Sequence, residues 1–280
     1  YATTELIPLF PDPELLNQIY FANMLRSDFF VNKFSSAVVG TKMPRISMDI
    51  FWKFEVPLPP LELQREYADF IKQVDKSKAI CKQIFQSFDN LVKSRFIEMF
   101  GSCKSKVTIQ NSCSLHARIG WQALTKNEHM EAGKYMLITG TDFQNGLINY
   151  STCKYVSKER YDMDPNIQIQ NDDILVTKDG SIGKVAIVKN LDNPATLNAG
   201  VFVVRPIVDD ILPEFLIHCL KSDSFDLFIN RVKRGATISH LNQGIFFKFE
   251  IPRPSKDVQI EFIKFIRQVD KSKFIKNWYS

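Results

Sequence analysis

Hydrophobic positions between residues 61 and 100 recur in alternating steps of four and three residues. The apolar or small side chains of this seam are Leu63, Tyr67, Phe70, Val74, Ser77, Cys81, Ile84, Phe88 and Leu91. A seam sustained over about four heptads is typical of a coiled-coil helix. Because Pro57, Pro59 and Pro60 precede the seam and Gly101 follows it, the pattern predicts a helix over residues 61–100.

Residues 102–205 show a different pattern, in which short apolar runs alternate with turn residues. Asn145 and Gly146 separate two strand-like runs, and this arrangement predicts a β-hairpin. Residues 212–235 are expected to form one helix, because their apolar positions share a face. A short strand in "IFFKFEIP" follows, so the pattern predicts a mixed, β-rich globule.

One stretch of the chain occurs twice. "KFEVPLPPLELQREYADFIKQVDKSK" at 53–78 returns as "KFEIPRPSKDVQIEFIKFIRQVDKSK" at 248–273, with 15 of 26 positions identical at an offset of 195 residues. Weaker similarity extends the match to 1–78 against 196–273. So long a period indicates duplication of a whole domain, with the beginning of the first copy missing.

These patterns predict the α+β fold class, with a β-rich globular domain followed by a long coiled-coil helix, and this arrangement repeated with an incomplete first copy. The expected segments are the C-terminal part of a first domain (1–60), a long helix (61–100), a second domain (101–254) and the start of a second helix (255–280). The chain begins with Tyr1 rather than Met, which suggests a fragment or a processed chain.

Composition excludes several classes of protein. Five cysteines without a CxxC pair argue against a disulfide framework or a zinc site and favour the reducing cytoplasm. No apolar run reaches the roughly 18–20 residues that span a bilayer, so no membrane association is expected. The net charge of +5 is only mildly basic, and a nucleic-acid surface would therefore require folding to gather the cations.

No catalytic motif is present in the sequence. It lacks GxSxG, HExxH, the Walker A loop, the dinucleotide GxGxxG and the Asn/Asp-Pro-Pro-aromatic motif of amino methyltransferases. It also lacks a convincing cluster of carboxylates and lysine for nuclease chemistry. We therefore expect no catalytic residue, metal site or bound cofactor on this chain.

Three polar stretches are candidates for binding. "TKDGSIGK" at 177–184 lacks the spacing of a phosphate-binding loop and is predicted to be a hairpin turn. Its Lys178, Ser181 and Lys184 could contact a DNA backbone. Alternatively, the glycines serve only the turn, because they adopt positive φ without steric cost.

The second stretch, "ARIGWQALTKNE" at 117–128, carries Arg118, Trp121, Gln122, Thr125 and Lys126. Arginine and glutamine side chains can make paired hydrogen bonds with guanine and adenine edges. Alternatively, the stretch is a solvated connection with its tryptophan in the core.

The third stretch, "RVKRGATISHLN" at 231–242, carries Arg231, Lys233, Arg234 and His240. These cations could bind phosphates or could simply compensate a helix dipole.

Several stretches together resemble the DNA-specificity subunits of type I restriction-modification systems. They are "NDDILVTKDGSIGKVAIV" at 171–188, "LNAGVFVVRP" at 197–206 and both copies of P-x-P-x-x-x-x-Q. The resemblance implies a non-catalytic subunit in which two recognition domains each read half of a bipartite DNA site. It also implies that the long helices pair antiparallel and act as a spacer.

The resemblance further implies partners and chemistry. Double-stranded DNA, methyltransferase (modification) subunits and, through the complex, a restriction/translocase subunit would be the partners. S-adenosylmethionine, ATP and Mg²⁺ would be bound by those subunits, and the assembled complex would be a type I site-specific deoxyribonuclease and adenine methyltransferase. Side chains of 118–126 would supply specificity, and scattered lysines and arginines would contact phosphate.

Two alternatives remain open at the level of sequence. The chain could be a coiled-coil scaffold whose globule binds protein. It could also be the recognition region of a fused, single-chain restriction-methylation enzyme.

Overall fold

The computed structural model describes residues 7–36, 38–39, 45–120, 123–234 and 240–277. The helices are α1 (Gln18–Arg26), α2 (Asp28–Ser36), α3 (Met48–Phe51), α4 (Leu61–Phe100), α5 (Ile109–Ser112), α6 (Lys158–Asp162), α7 (Pro213–Leu220), α8 (Asp223–Arg234), α9 (Gln243–Phe246) and α10 (Lys256–Asn277). The strands are β1 (Val38–Val39), β2 (Arg45–Ile46), β3 (Lys106–Thr108), β4 (Cys113–Ala117), β5 (Tyr135–Ile138), β6 (Phe143–Gln144), β7 (Leu147–Ile148), β8 (Lys154–Val156), β9 (Gln168–Ile169), β10 (Ile174–Thr177), β11 (Val185–Ile187), β12 (Ala195–Leu197), β13 (Val201–Pro206) and β14 (Glu250–Pro252). Two compact units result, Tyr1–Gln86 and Ser87–Ser280.

Helix α4 confirms the predicted long helix and contributes to both units. In the first unit it buries Gln64 and Ala68, whereas Leu63 and Phe70 of the predicted seam are 53% and 61% exposed. In the second unit, its last turns pack Phe96 and Phe100 against α10 and α7 in one aromatic cluster. The same helix therefore supplies core side chains to both units.

The repeat predicted from the sequence is confirmed by the structure. Helices α1, α2, α3 and α4 begin 195 residues before α7, α8, α9 and α10 respectively. The buried side chain of Gln64 accepts a hydrogen bond from the backbone N–H of Asn17 and donates to the carbonyls of Leu15 and Pro59. This bonding ties the start of the long helix to the segment before α1.

Gln259 makes the same three hydrogen bonds in the second copy. It accepts from the N–H of Leu212 and donates to the carbonyls of Asp210 and Pro254. Both glutamines are 0% exposed, which explains why the repeated motif needs this side chain.

Two sheets form the middle of the second unit. A six-stranded sheet has the order β4-β13-β10-β11-β7-β6, and a four-stranded sheet has the order β8-β5-β12-β9. Along β10 the buried side chains alternate between two cores, as the period of a strand requires. Ile174 and Val176 join Phe215 and other helical residues, whereas Leu175 joins residues of the four-stranded sheet.

The predicted hairpins are confirmed. Strands β6 and β7 pair antiparallel around Asn145 and Gly146, whose φ angles of 52° and 79° match a primed turn. Strands β10 and β11 pair antiparallel around the glycine-containing turn.

The single helix predicted over 212–235 is wrong. The chain forms α7 and α8 instead, with a break at residues 221–222. Ser222 accepts a hydrogen bond from the N–H of Phe225 and donates one to the carbonyl of Cys219 at 2.7 Å. Because a serine at this position caps a helix start, it divides an apolar pattern that otherwise continues.

Candidate nucleic-acid interface

The ends of several strands of the second unit lie close together at one end of the six-stranded sheet. Strand β4 ends at Ala117, which pairs with Phe202, and β10 ends at Thr177, which pairs with Val201. We call the segments at this end of the sheets the loop edge. They are residues 118–120, 139–142, 178–184, 198–200 and 240–241.

The turn 178–184 has a defined backbone. The hydroxyl of Thr177 accepts a hydrogen bond from the N–H of Lys184 at 2.9 Å, and its carbonyl accepts from the N–H of Gly183 at 2.9 Å. Gly183 has a φ of +87°, and a Cβ there would lie 3.0 Å from side-chain atoms of Ile229. The turn therefore packs against α8 while Ser181 and Lys184 remain exposed.

The structure joins the turn to His240. The N–H of Leu241 donates to the carbonyl of Lys178 at 2.9 Å, and Nδ1 of His240 pairs with Asp179 Oδ1. Nζ of Lys178 donates to Asp179 Oδ2 at 3.0 Å. Burial acts to raise the pKa of Asp179, but its hydrogen bonds with Lys178 and His240 outweigh burial and lower that pKa overall.

Exposed cations extend this region along α8. Arg231, Lys233 and Arg234 lie in the last turn of the helix, and Ile229 in the preceding turn contacts Gly183. Within the described part of the chain, none of these three side chains, nor Lys184, forms an ion pair with a carboxylate. The first and third predicted stretches, 177–184 and 231–242, therefore lie beside each other and present unpaired positive charge.

The second predicted stretch, residues 117–128, is arranged differently. Arg118 is only 2% exposed, and its Nε donates to the carbonyl of Leu197 at 2.8 Å while Nη2 donates to the hydroxyl of Thr196 at 3.2 Å. Its buried Nη1 has no hydrogen-bond partner within the described residues. Burial, followed by the nearby charge of Arg160, lowers the pKa of Arg118. Arg118 thus anchors the start of its loop to β12.

The rest of that stretch is only partly described. Trp121, Gln122 and the side chain of Lys126 lie outside the described residues. Thr125 is exposed, and its N–H and hydroxyl both donate to Oε2 of Glu128 at 2.8 Å. Arg160 of α6 donates to the other carboxylate oxygen, Oε1. The bonds from Thr125 and then from Arg160 lower the pKa of Glu128 to about 2.

Sequence reasoning missed the segment 139–142. Strand β5 ends at Ile138, which pairs in parallel with Leu197. A Cβ on Gly140 would lie 2.6 Å from Cγ2 of Thr177, so this loop lies against the end of β10. Asp142, 3% exposed, accepts from the N–H and hydroxyl of Thr139 and fixes the loop backbone. The local signal, Thr-Gly-Thr-Asp, indicated only a turn, because parallel pairing links segments far apart in sequence.

Other kinds of site were also sought. Among the residues that the structure describes, no group of three His, Cys, Asp or Glu side chains is arranged to hold a metal ion. No helix in the same residues combines the length and the apolar character needed to cross a bilayer.

Comparison with known families and proteins gives consistent matches. The family model described as the type I restriction modification DNA specificity domain matches residues 1–87 and 119–277. The chain is 21% identical to the type I restriction enzyme MjaVIII specificity subunit of Methanocaldococcus jannaschii, over 90% of this chain. It is 26% identical to the StySPI specificity subunit of Salmonella potsdam, over 57% of this chain. The chain spans 63% of the length of the first relative and 37% of the second.

Solved structures show the same fold. The S subunit of a type I restriction-modification system from M. genitalium matches with a TM-score of 0.54 and 15% identity, covering 96% of this chain and 70% of that chain. A structure that reports the structural basis of complex assembly and conformational transition of the type I R-M system matches with a TM-score of 0.59 and 16% identity. That match covers 94% of this chain and 66% of the other.

Proposed function

Because the chain belongs to the family of type I restriction modification DNA specificity domains, we propose that it recognises a specific double-stranded DNA sequence for a type I restriction-modification complex. The subunit itself catalyses no step. It directs methylation and cleavage that other subunits of the complex perform.

The loop edge is the observation that carries this proposal. Five separate segments of the second unit converge at the loop edge, and exposed cations lie beside them. Phosphate contacts position a protein on DNA, whereas contacts to base edges specify the sequence. A rigid sheet that presents several loops and a basic margin supplies both kinds of contact.

The roles divide between the clusters. Lys184 and the cations at the end of α8 are exposed and unpaired with described carboxylates, which suits them for binding phosphate. Gln122, Thr125 and Lys126 follow Arg118 closely in the sequence, and we propose that these side chains read base edges. Arg118, which is buried, holds the start of this stretch in place.

Partner subunits complete the proposed system. Methyltransferase subunits bind S-adenosylmethionine and transfer the methyl group, and a restriction/translocase subunit uses ATP and Mg²⁺. One related structure is described in terms of complex assembly, which supports association of this chain with such subunits.

Selection from a random pool of duplex DNA tests the proposal. The chain, with the modification subunit present, should retain a defined sequence after repeated rounds of binding and sequencing. Binding without enrichment of any sequence, or no binding, would contradict a recognition function and favour a protein-binding scaffold. A methyltransferase region encoded immediately before this chain would favour a fused, single-chain enzyme.

A further inference from the structure

One acidic side chain lies within the basic part of the loop edge. Asp179 is the single acidic residue in the turn "KDGSIGK" at 178–184. Its carboxylate is 43% exposed and lies between Lys178 and His240, with one oxygen paired to each side chain. Two of the candidate DNA-binding residues are thus paired within the protein.

The pairing also limits the reach of Lys178. Its side chain is 14% exposed, and its ammonium group lies 5.9 Å from the ring centroid of Phe202 in addition to its bond with Asp179. The ammonium group is therefore held against the protein by a carboxylate and an aromatic ring. Lys184, in the same turn, is exposed and has no such partner among the described residues.

This arrangement lowers the part of DNA affinity that does not depend on sequence. Sequence-independent affinity grows with the number of phosphates that free cations neutralise, whereas specificity is the difference between target and non-target affinity. A carboxylate that pairs Lys178 and His240, and itself repels phosphate, weakens contacts with any backbone. Contacts with base edges are unaffected, so target and non-target DNA are weakened by the same factor and the ratio of their affinities stays the same.

On the basis of the proposed function, we infer that Asp179 lowers the affinity of the loop edge for DNA backbone of any sequence, because it holds Lys178 and His240 away from phosphate. It acts through these two side chains and makes no contact with a base. The lowered pKa of Asp179 agrees with this role, because the carboxylate stays ionised wherever DNA is bound near neutral pH.

Equilibrium binding of Asp179→Asn to target and random duplexes tests the inference. The variant should bind both random and target DNA about threefold to tenfold more tightly, with the ratio of the two affinities unchanged. The dependence of log affinity on log salt should steepen by about one unit for random DNA, since one further phosphate is neutralised. Asp179→Glu keeps the charge and should retain the wild-type affinities for both duplexes.

Asp192→Asn is the matched control. Asp192 is exposed in the loop that follows β11, at the end of that strand remote from the turn, and its substitution removes the same charge. This variant should leave both affinities unchanged. Circular dichroism of each variant would verify folding.

Other outcomes separate the inference from the proposed function. Unchanged affinities in Asp179→Asn would overturn the inference, and so would a loss confined to target, which would make Asp179 a reader of cytosine. If wild type enriches no sequence, the proposed function fails. A rise in random-DNA affinity of the variant would then still support the pairing role.

Discussion

Individual side chains divide into those that set the geometry of the loops and those that remain available to a ligand. Arg118 was expected to contact DNA, yet the structure buries it against β12, 79 residues away along the chain. Its role could not be predicted from its neighbours, because the burial depends on strand pairing between distant segments. The exposure of Lys184 agreed with its local sequence, since a short polar turn leaves its tip in solvent.

Glu128 provides a pH-dependent test of the loop geometry. Its folded pKa of about 2 lies below the ordinary value of 4.5, so its contribution to stability is present above about pH 4.5 and disappears as pH falls towards 2. The thermal midpoint of Glu128→Gln should therefore lie below that of wild type near neutral pH. The difference in thermal midpoint between the variant and wild type should disappear as pH falls from about 4.5 towards 2.

Glu159→Gln, an exposed neighbour on α6 outside this network, is the control for loss of a carboxylate. A gap for Glu128→Gln that stayed constant down to about pH 2 would contradict the assigned bonds of Thr125 and Arg160 with Glu128.

Substitutions at Gln122 and Lys184 should separate base reading from backbone binding. Gln122→Ala should reduce discrimination at one position of the target by about 1–3 kcal/mol. Lys184→Ala should weaken binding to all sequences alike and reduce the salt dependence by about one phosphate contact. Affinities for target, single-mismatch and random duplexes measure both effects. Equal, uniform losses from both substitutions would refute this division.

Elements formed by local interactions were predictable from sequence. The helix α4 and the hairpin at Asn145 and Gly146 follow from periodicity and from turn chemistry. The break between α7 and α8 was missed, because the apolar face continues across it and only the capping bonds of Ser222 divide it. The pairing of β5 with β12 could also not be predicted from the local sequence, because parallel strands pair with segments that are distant along the chain.

The repeated glutamines should contribute equally to their own copies. Gln259→Leu removes three hydrogen bonds and leaves the N–H of Leu212 buried without a partner, which should cost about 2–3 kcal/mol of unfolding free energy. Gln64→Leu should destabilise the first unit by a similar amount, because its bonds are the same. Chemical denaturation with probes in each unit measures both.

Gln268→Leu is the matched control, because this glutamine is exposed on α10 and its substitution should change stability by less than about 0.5 kcal/mol. If Gln64→Leu and Gln259→Leu lowered the unfolding free energy as little as the control does, the repeated glutamine would not stabilise the fold.

At the scale of the whole molecule, the repeat separates what stays the same from what differs. The start of each long helix and its buried glutamine recur at a constant offset, whereas the last turn of α8 carries three cations that its counterpart in the first copy lacks. A frame of fixed elements with exchangeable surfaces is what recognition of different DNA sequences requires. This separation was visible in the sequence alone, because an internal repeat needs no structure to be detected.

The length of α4 leads to the last prediction. A continuous helix rises by about 1.5 Å per residue, so seven more residues lengthen it by about 10 Å, or about three base pairs of B-DNA. Duplicating residues 78–84 preserves the alternating steps of the seam and adds one heptad. If the helix spaces two recognition domains of the whole protein, the two halves of its target should move about three base pairs apart.

Methylation mapping in the host would measure this spacing. Replacing the same seven residues with other helix formers, without insertion, should leave the methylated motif unchanged. A duplication that methylates the original spacing would show that α4 does not set the distance. A duplication that retains both half-sequences at the longer spacing would instead mean that the helix determines geometry alone, while the loop edges determine which bases are read.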